Sequence, residues 1–408
     1  MDGEQVLGEA PCGHATSLLA AAVRANRADH LARARGHRDV PYRTTSVGSE
    51  RDIVDDRLGT LCRPRAFVGL SGRPATRRAM PEPGFPPVQE RGRGAGWYRG
   101  DCHIHTVYSD GELTPEQVAA DARAVGLDFV ATTEHNSADA HDAWRRHAAD
   151  DFLILLGEEV TTRTGHWLAL GIGPGQVIAW DYGVGDGLID GCLDQVRESG
   201  GLCVAAHPHA PYPSGSFMYP YQGLDVVEVW NGLWTSDRPW NADNEAALAE
   251  WGRGLAEGMR AGRWRPAMGN SDTHLAGQIG IPHTVVLAED LSTSAILAGI
   301  RAGRSWIAES AGVDLSLTAV AAGHNVGIGE HLATCGEPVM VSAHIRGAAE
   351  AIVSFHTDRG RVHCEALPDS GVGTAEWHTT SEDSAFVRIE VRHPNGHMAA
   401  LTNPIVLT

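Results

Sequence analysis

From Trp97 to about Ser310, short apolar runs alternate with longer amphipathic stretches. Asp101–Tyr108, Phe129–Thr133, Phe152–Leu156, Trp167–Ile172, Cys203–Ala206, Val226–Trp230 and Arg265–Gly269 have the length of strands. Between and after them, Thr114–Val125, Leu188–Ser199, Asn241–Arg260 and Ser292–Ala302 carry helical spacing. The first of these helices has a clear start, with Thr114 as N-cap, Pro115 at N1 and Gln117 at N3. Strand–helix alternation of this kind predicts an α/β fold, either a parallel-sheet barrel or a doubly wound sheet.

The pattern changes on both sides of this region. After residue 311 it becomes β: Val339–Ile345, Ala351–His356 and Ala385–Arg392 alternate, and Ile405-Val406-Leu407 ends the pattern. Turn signals such as Asp358-Arg-Gly-Arg and Pro394-Asn-Gly lie between them, which predicts a C-terminal β-sandwich-like domain over 311–408. Residues 1–96 read as a partly irregular N-terminal region. An Ala/Arg-rich stretch, Ser17–Arg35, suits a helix, and a Pro/Gly/Arg-rich segment from Pro81 to Gly96 suits a linker. No internal repeat is visible.

Composition narrows the partners. No apolar run reaches the roughly 20 residues of a membrane-spanning helix, so no membrane partner is expected. The acidic start Met1-Asp2-Gly3-Glu4 lacks the basic lead of a secretory signal, which predicts a cytoplasmic protein. Seven scattered cysteines without a C-x-x-C pair argue against a disulfide framework or a thiolate zinc site. Charge is uneven: residues 1–100 hold 16 arginines and 11 acids, whereas the remainder holds 17 arginines and 40 acids. The acidic part repels polyanions, so a small-molecule substrate is expected and long nucleic acid is not. The oligomeric state is not legible.

The chemistry begins at Asp101-Cys102-His103-Ile104-His105, followed by Asp110. In a strand, His103 and His105 share a face and make a two-imidazole metal seat, while Cys102 packs on the other side. Ligand-type residues recur where further strands end: Glu134-His135, Glu158-Glu159, His166, His207, and Asp272-Thr273-His274. Barrel and open α/β enzymes place their chemistry at such strand ends.

In this order, D-x-H-x-H-T-x-x-S-D-G, T-E-H-N, G-E-E-V-T-T, G-H-W-L-A-L-G, A-H-P, E-V-W-N and N-S-D-T-H resemble the PHP (polymerase and histidinol phosphatase) superfamily. More narrowly they look like its carbaryl-hydrolase-like branch of metallohydrolases. The resemblance implies a distorted (β/α)7 PHP barrel over 97–310 holding two to three divalent ions. It would give His103, His105, Glu159 and Asp272 to one metal. Glu159 would bridge to a second, bound by His166 and His207, and Asp110, His135 and His274 would hold the third. The spacing from Glu159 to His166 is shorter than in several family members. Glu158 would face away, and Glu159, Asp272 and His274 would form the catalytic group. Histidine nitrogen mixed with carboxylate oxygen suits Zn, Mn or Fe. Ala66–Arg73 resembles part of the β-domain that precedes the barrel in that branch.

Around this set, Asp101 and Asn270 are candidates to orient imidazoles. His209 and His283 are secondary candidates for touching substrate, and Trp230, Asn231 and Trp234 for lining its pocket. Two metals sharing a carboxylate would share a water, acidify it, and present a bridging hydroxide. The first expectation is a phosphoesterase acting on a small phosphate ester. The alternative is hydrolysis of a carboxylic ester, carbamate or amide. An inactive metal-binding domain is a third reading, and the presence of all nine ligands speaks against it.

Overall fold

The structure is a computed structural model that describes residues 94–179 and 187–408. The readings of Ser17–Arg35, Ala66–Arg73 and the linker up to residue 93 lie outside the described residues. In chain order the first part contains β1 (Gly96–Asp101), α1 (Pro115–Ala124), β2 (Phe129–Thr132), α2 (His141–Arg145), β3 (Leu153–Thr162) and β4 (Gly165–Leu170). It continues with α3 (Ile189–Glu198), β5 (Leu202–Ala205), β6 (Val226–Asn231), α4 (Asn244–Gly258), β7 (Ala267–Asn270), β8 (His283–Ala288), α5 (Thr293–Arg301) and β9 (Ser305–Ala308). The expected capping box is present on α1. Thr114 Oγ1 accepts from Gln117 N at 3.3 Å, and Gln117 Oε1 accepts from Thr114 N at 2.9 Å.

The strands form one sheet in the order β7-β6-β5-β4-β3-β2-β1-β8-β9. β1, β2 and β3 are parallel, as are β5, β6 and β7, but β4 runs antiparallel to both β3 and β5. The expected (β/α)7 alternation therefore breaks at β3. This strand continues through Glu158-Glu159-Val160-Thr161-Thr162 and returns directly as a hairpin, with no crossover helix. β8 and β9, which the strand–helix pattern does not include, pair antiparallel beside β1. The sheet curls so that Thr284 on β8 reaches β7. Its Oγ1 donates to Gly269 O at 2.8 Å and accepts from Gly269 N at 3.0 Å.

β1 covers Gly96–Asp101 and meets the expected strand Asp101–Tyr108 only at Asp101. His103 and His105 lie just beyond it, in an extended segment bridged at Ile104 to Thr273. On β2, Phe129 and Ala131 join a core with Tyr98, Leu155 and Leu168, whereas Val130 faces Val118 and Trp144 of the helices.

The sheet crosses position 310 without a break. β9 pairs with Met398–Thr402, which pairs with Phe386–Arg392. A second antiparallel sheet orders His324–Gly327, Asp314–Ala321, Val339–Arg346 and Val372–Thr379. Residues of both sheets, among them Trp97, Trp306, Leu317, Val341, Phe355 and Ile389, share one buried core. Among the described residues no helix is long and apolar enough to cross a membrane.

Candidate metal centre

The curled sheet brings the nine expected ligands together from residues 103 to 274. Glu159 stands at the centre, fully buried, because the pleat of β3 turns it inward. Its Oε1 lies 2.9 Å from His166 Nδ1 and 3.1 Å from His207 Nε2. Its Oε2 lies 3.4 Å from His103 Nε2, 3.3 Å from His105 Nε2 and 2.9 Å from His135 Nδ1. One carboxylate thus faces two histidine groups with different oxygens.

Asp272 completes the first group, with Oδ1 3.4 Å from His103 Nε2 and 3.2 Å from His105 Nε2. The third group is more open. Asp110 Oδ1 sits 3.4 Å from His135 Nε2 and 3.3 Å from His274 Nε2, on a side chain that is 57% exposed. The His105 ring stacks against those of His135 and His274, at 4.3 and 4.2 Å, and those two lie 6.3 Å from each other.

Metal fits this arrangement better than a hydrogen-bonded polar cluster does. His103 Nε2, His105 Nε2, Glu159 Oε2, His166 Nε2 and His207 Nδ1 are buried and have no hydrogen-bond partner. Buried polar atoms are seldom left unpaired. Those of His103, His105 and Glu159 instead lie at 3.3–3.4 Å, close enough to serve one cation. The donor set of imidazole nitrogen and carboxylate oxygen suits Zn, Mn or Fe.

Electrostatics points the same way. Burial opposes the charged form of Glu159, but His135, His103 and His166 hold its carboxyl well below the usual range. Burial likewise works against protonation of His103, yet Asp272, Glu228 and Glu159 raise it well above an ordinary imidazole. His135 is pushed up to about 10 against the effect of burial, by Glu159 and Asp110. The carboxylates that draw protons onto His103 and His135 draw dications for the same reason.

The supporting shell differs from expectation. Asp101 orients no imidazole. It accepts from Ser271 N at 3.1 Å and Gly280 N at 2.9 Å, fixing the loop that carries Asp272. The orienting carboxylate is Glu228, fully buried on β6. It lies 3.1 Å from His103 Nδ1 and accepts from His207 N at 2.7 Å, Asn231 Nδ2 at 3.1 Å and Asn270 Nδ2 at 2.8 Å. Asn270 therefore acts through Glu228. Asn231 also donates to Asp272 Oδ2 at 3.2 Å. A charged residue inside the apolar run Val226-Val-Glu-Val-Trp230 was the available signal for Glu228. Glu134, also buried, accepts from Thr106 N at 3.1 Å and from Ser109 Oγ, and so ties down the loop after His105.

Two proposed ligands have left-handed backbone: His207 at φ 23° and Asp272 at φ 51°. Such strain, of order 1–3 kcal/mol, persists where surrounding bonds enforce it.

Other candidates fall outside the cluster. His209 pairs with Glu250 at 2.6 Å, and His283 is buried between Arg99 Nη1 and Gly280 O, each at 2.9 Å. Trp230 and Trp234 pack edge to face in a core. Glu158 faces away, accepting from Ile178 N at 2.8 Å. Tyr212, on the loop after His207, brings its ring within 6.1 Å of both His166 and His207. Burial and the carboxylates of Asp272, Glu159, Glu228 and Asp110 raise its phenol well above the ordinary value.

No family model and no curated protein matches this chain. Solved structures do resemble it. A two-domain protein of Bacteroides vulgatus containing a predicted PHP-like metal-dependent phosphoesterase aligns with 81% of this chain and 100% of its own, at 16% identity and TM-score 0.47. An amidohydrolase of Chromobacterium violaceum, with bound sulfate and no metal, aligns over 44% of this chain and 89% of its own, at 19% identity and TM-score 0.30. A lesion-specific endonuclease of Pyrococcus furiosus aligns over 50% and 56%, at 18% identity and TM-score 0.34.

Proposed function

We propose that this protein is a metal-dependent hydrolase of the PHP type, acting on a small phosphate ester. The observation that carries the reading is the double-facing carboxylate of Glu159, with one oxygen toward His166 and His207 and the other toward His103 and His105. Divalent ions bound there supply an acidified water and a clamp for the attacking and leaving oxygens. His103, His105, Glu159 and Asp272 would hold the first ion, Glu159, His166 and His207 the second, and Asp110, His135 and His274 the third. Glu159, Asp272 and His274 border the reacting oxygens in this reading. Glu228 keeps the proton of His103 on Nδ1, leaving Nε2 a free donor to metal. Three cations suit a group with three charged oxygens.

A second reading is hydrolysis of a neutral carboxylic ester, carbamate or amide. It is favoured by one observation: among the described residues, Asp110, Glu159 and Asp272 form ion pairs with histidines alone, and no arginine joins them. The charge of a phosphate would then rest on the metals without help from a side-chain cation.

A panel separates the two. Protein reconstituted with Mn or Zn is assayed on p-nitrophenyl phosphate and on p-nitrophenyl and naphthyl carboxylic esters. Turnover confined to the phosphate supports the first reading, and turnover confined to carboxylic esters supports the second. No turnover of either class contradicts a hydrolase.

A further inference from the structure

Tyr212 lies in Ala210-Pro211-Tyr212-Pro213-Ser214-Gly215, between two prolines that restrict the backbone around it. The chain then folds under the ring, with Gly215 N and Ser216 N donating to Tyr212 O at 3.0 and 3.2 Å. Gly215 is the floor on which the ring rests. A Cβ there would fall 2.2 Å from Tyr212 Cε2 and 2.4 Å from Cζ, so no larger residue fits without displacing the ring. Above this floor the ring leans toward His166 and His207 equally. Its hydroxyl has no hydrogen-bond partner among the described residues, although a half-buried phenol ordinarily finds one. The effect of Asp272, Glu159, Glu228 and Asp110 on the phenol places it within electrostatic reach of four carboxylates of the site.

We infer that Tyr212 is a catalytic residue whose hydroxyl donates a hydrogen bond to a substrate oxygen held beside His166 and His207, with Gly215 positioning it. The inference rests on the hydrolase reading and adds a role to this chain's own residues. The phenol keeps its proton throughout: it stabilises charge that grows on the substrate oxygen, and no proton transfer is assigned to it. A donor preorganised against such charge acts mainly on the transition state.

The test compares wild type, Tyr212→Phe and Gly215→Ala, each reconstituted with Mn, on whichever ester class the wild type turns over. Phe preserves the ring and removes only the hydroxyl. Ala keeps the hydroxyl but shifts the ring that carries it, at a glycine whose backbone conformation is open to other residues. The expected result is a kcat lower by about ten- to a hundredfold in Tyr212→Phe, the scale of a hydrogen bond to a charged group. KM should change much less and metal content should stay the same. Affinity for inorganic phosphate, or for a carboxylate product if the wild type is an esterase, should change no more than KM. Gly215→Ala should follow in the same direction. A Tyr212→Phe enzyme with unchanged kcat, or one that has lost metal, would overturn the assignment. An unaffected Gly215→Ala would contradict the positioning. A wild type active on neither class defeats the hydrolase reading itself, an outcome distinct from active wild type with unaffected variants.

Discussion

His103 Nδ1 lies 3.1 Å from Glu228 Oε1, and both side chains are sealed from solvent. The pairing would hold a proton on Nδ1 once a metal takes Nε2, which faces Glu159 and Asp272. Glu228 also holds the backbone of His207 and the amides of Asn231 and Asn270, so one buried carboxylate supports both inner histidine groups.

Glu228→Gln therefore weakens metal binding without removing a ligand. The expected loss is about ten- to a hundredfold in affinity, the usual scale for groups that orient a ligand. Chelator competition measures it. An affinity equal to wild type would mean that His103 is oriented by something else.

Arg99 is buried on β1 and paired with Asp314, which Arg346 also contacts. Its Nη2 donates to Val313 O at 3.1 Å. Removing Arg99 leaves Asp314 only the half-exposed Arg346 as a cation and Val313 O without its donor. Arg99→Ala should thus destabilise the fold by about 1–3 kcal/mol, the scale of a buried group that loses a partner. Urea denaturation measures the loss, and metal content of the folded fraction should stay unchanged. A loss below about 1 kcal/mol would show that the pair behaves like a surface one.

Acid should destabilise the protein partly through His283. Burial and Arg99 push its imidazole down to about 3, so the folded state holds it neutral while the unfolded chain binds a proton below about 6.5. The unfolded state binds more protons in that window, and stability falls as pH drops from 6.5 toward 3. In metal-free protein, His283→Gln should lose stability less steeply between pH 6.5 and 4 than wild type. Equal slopes in urea melts would contradict the neutral assignment.

Much of this architecture was legible in the chain. The apolar runs before His135, His207 and Asp272 marked strands that end just short of them, and the cap at Thr114 marked a helix start. What stayed hidden had physical causes. β3 extends through two glutamates that interrupt its apolar pattern, and β8 and β9 fall outside the strand–helix alternation. Glu228 stands in E-V-W-N with nothing to mark its role, because a single carboxylate does not reveal its partners. Tyr212 falls in a loop over 212–221 from which the sequence predicts specificity, but its approach to His166 and His207 depends on Gly215 and on a loop fold that no periodicity encodes. His209 and His283 misled in the opposite sense, being near the motifs in sequence but engaged elsewhere.

The adjacent glutamates separate ligand from bystander. Glu158 contacts Ile178 N on the far side of β3. Glu158→Gln should keep its metal and most of its activity, measured on the same panel of esters. A deficit as deep as that of Glu159→Gln would contradict the strand register.

The bridging role of Glu159 is tested most directly by elemental analysis of Glu159→Gln beside wild type after identical reconstitution. The substitution keeps the size of the side chain and removes the charge that holds two dications near each other. Wild type should carry two to three divalent ions per chain, and the variant should lose more than one of them. A wild type with less than one ion per chain, or a variant with undiminished content, would contradict the account.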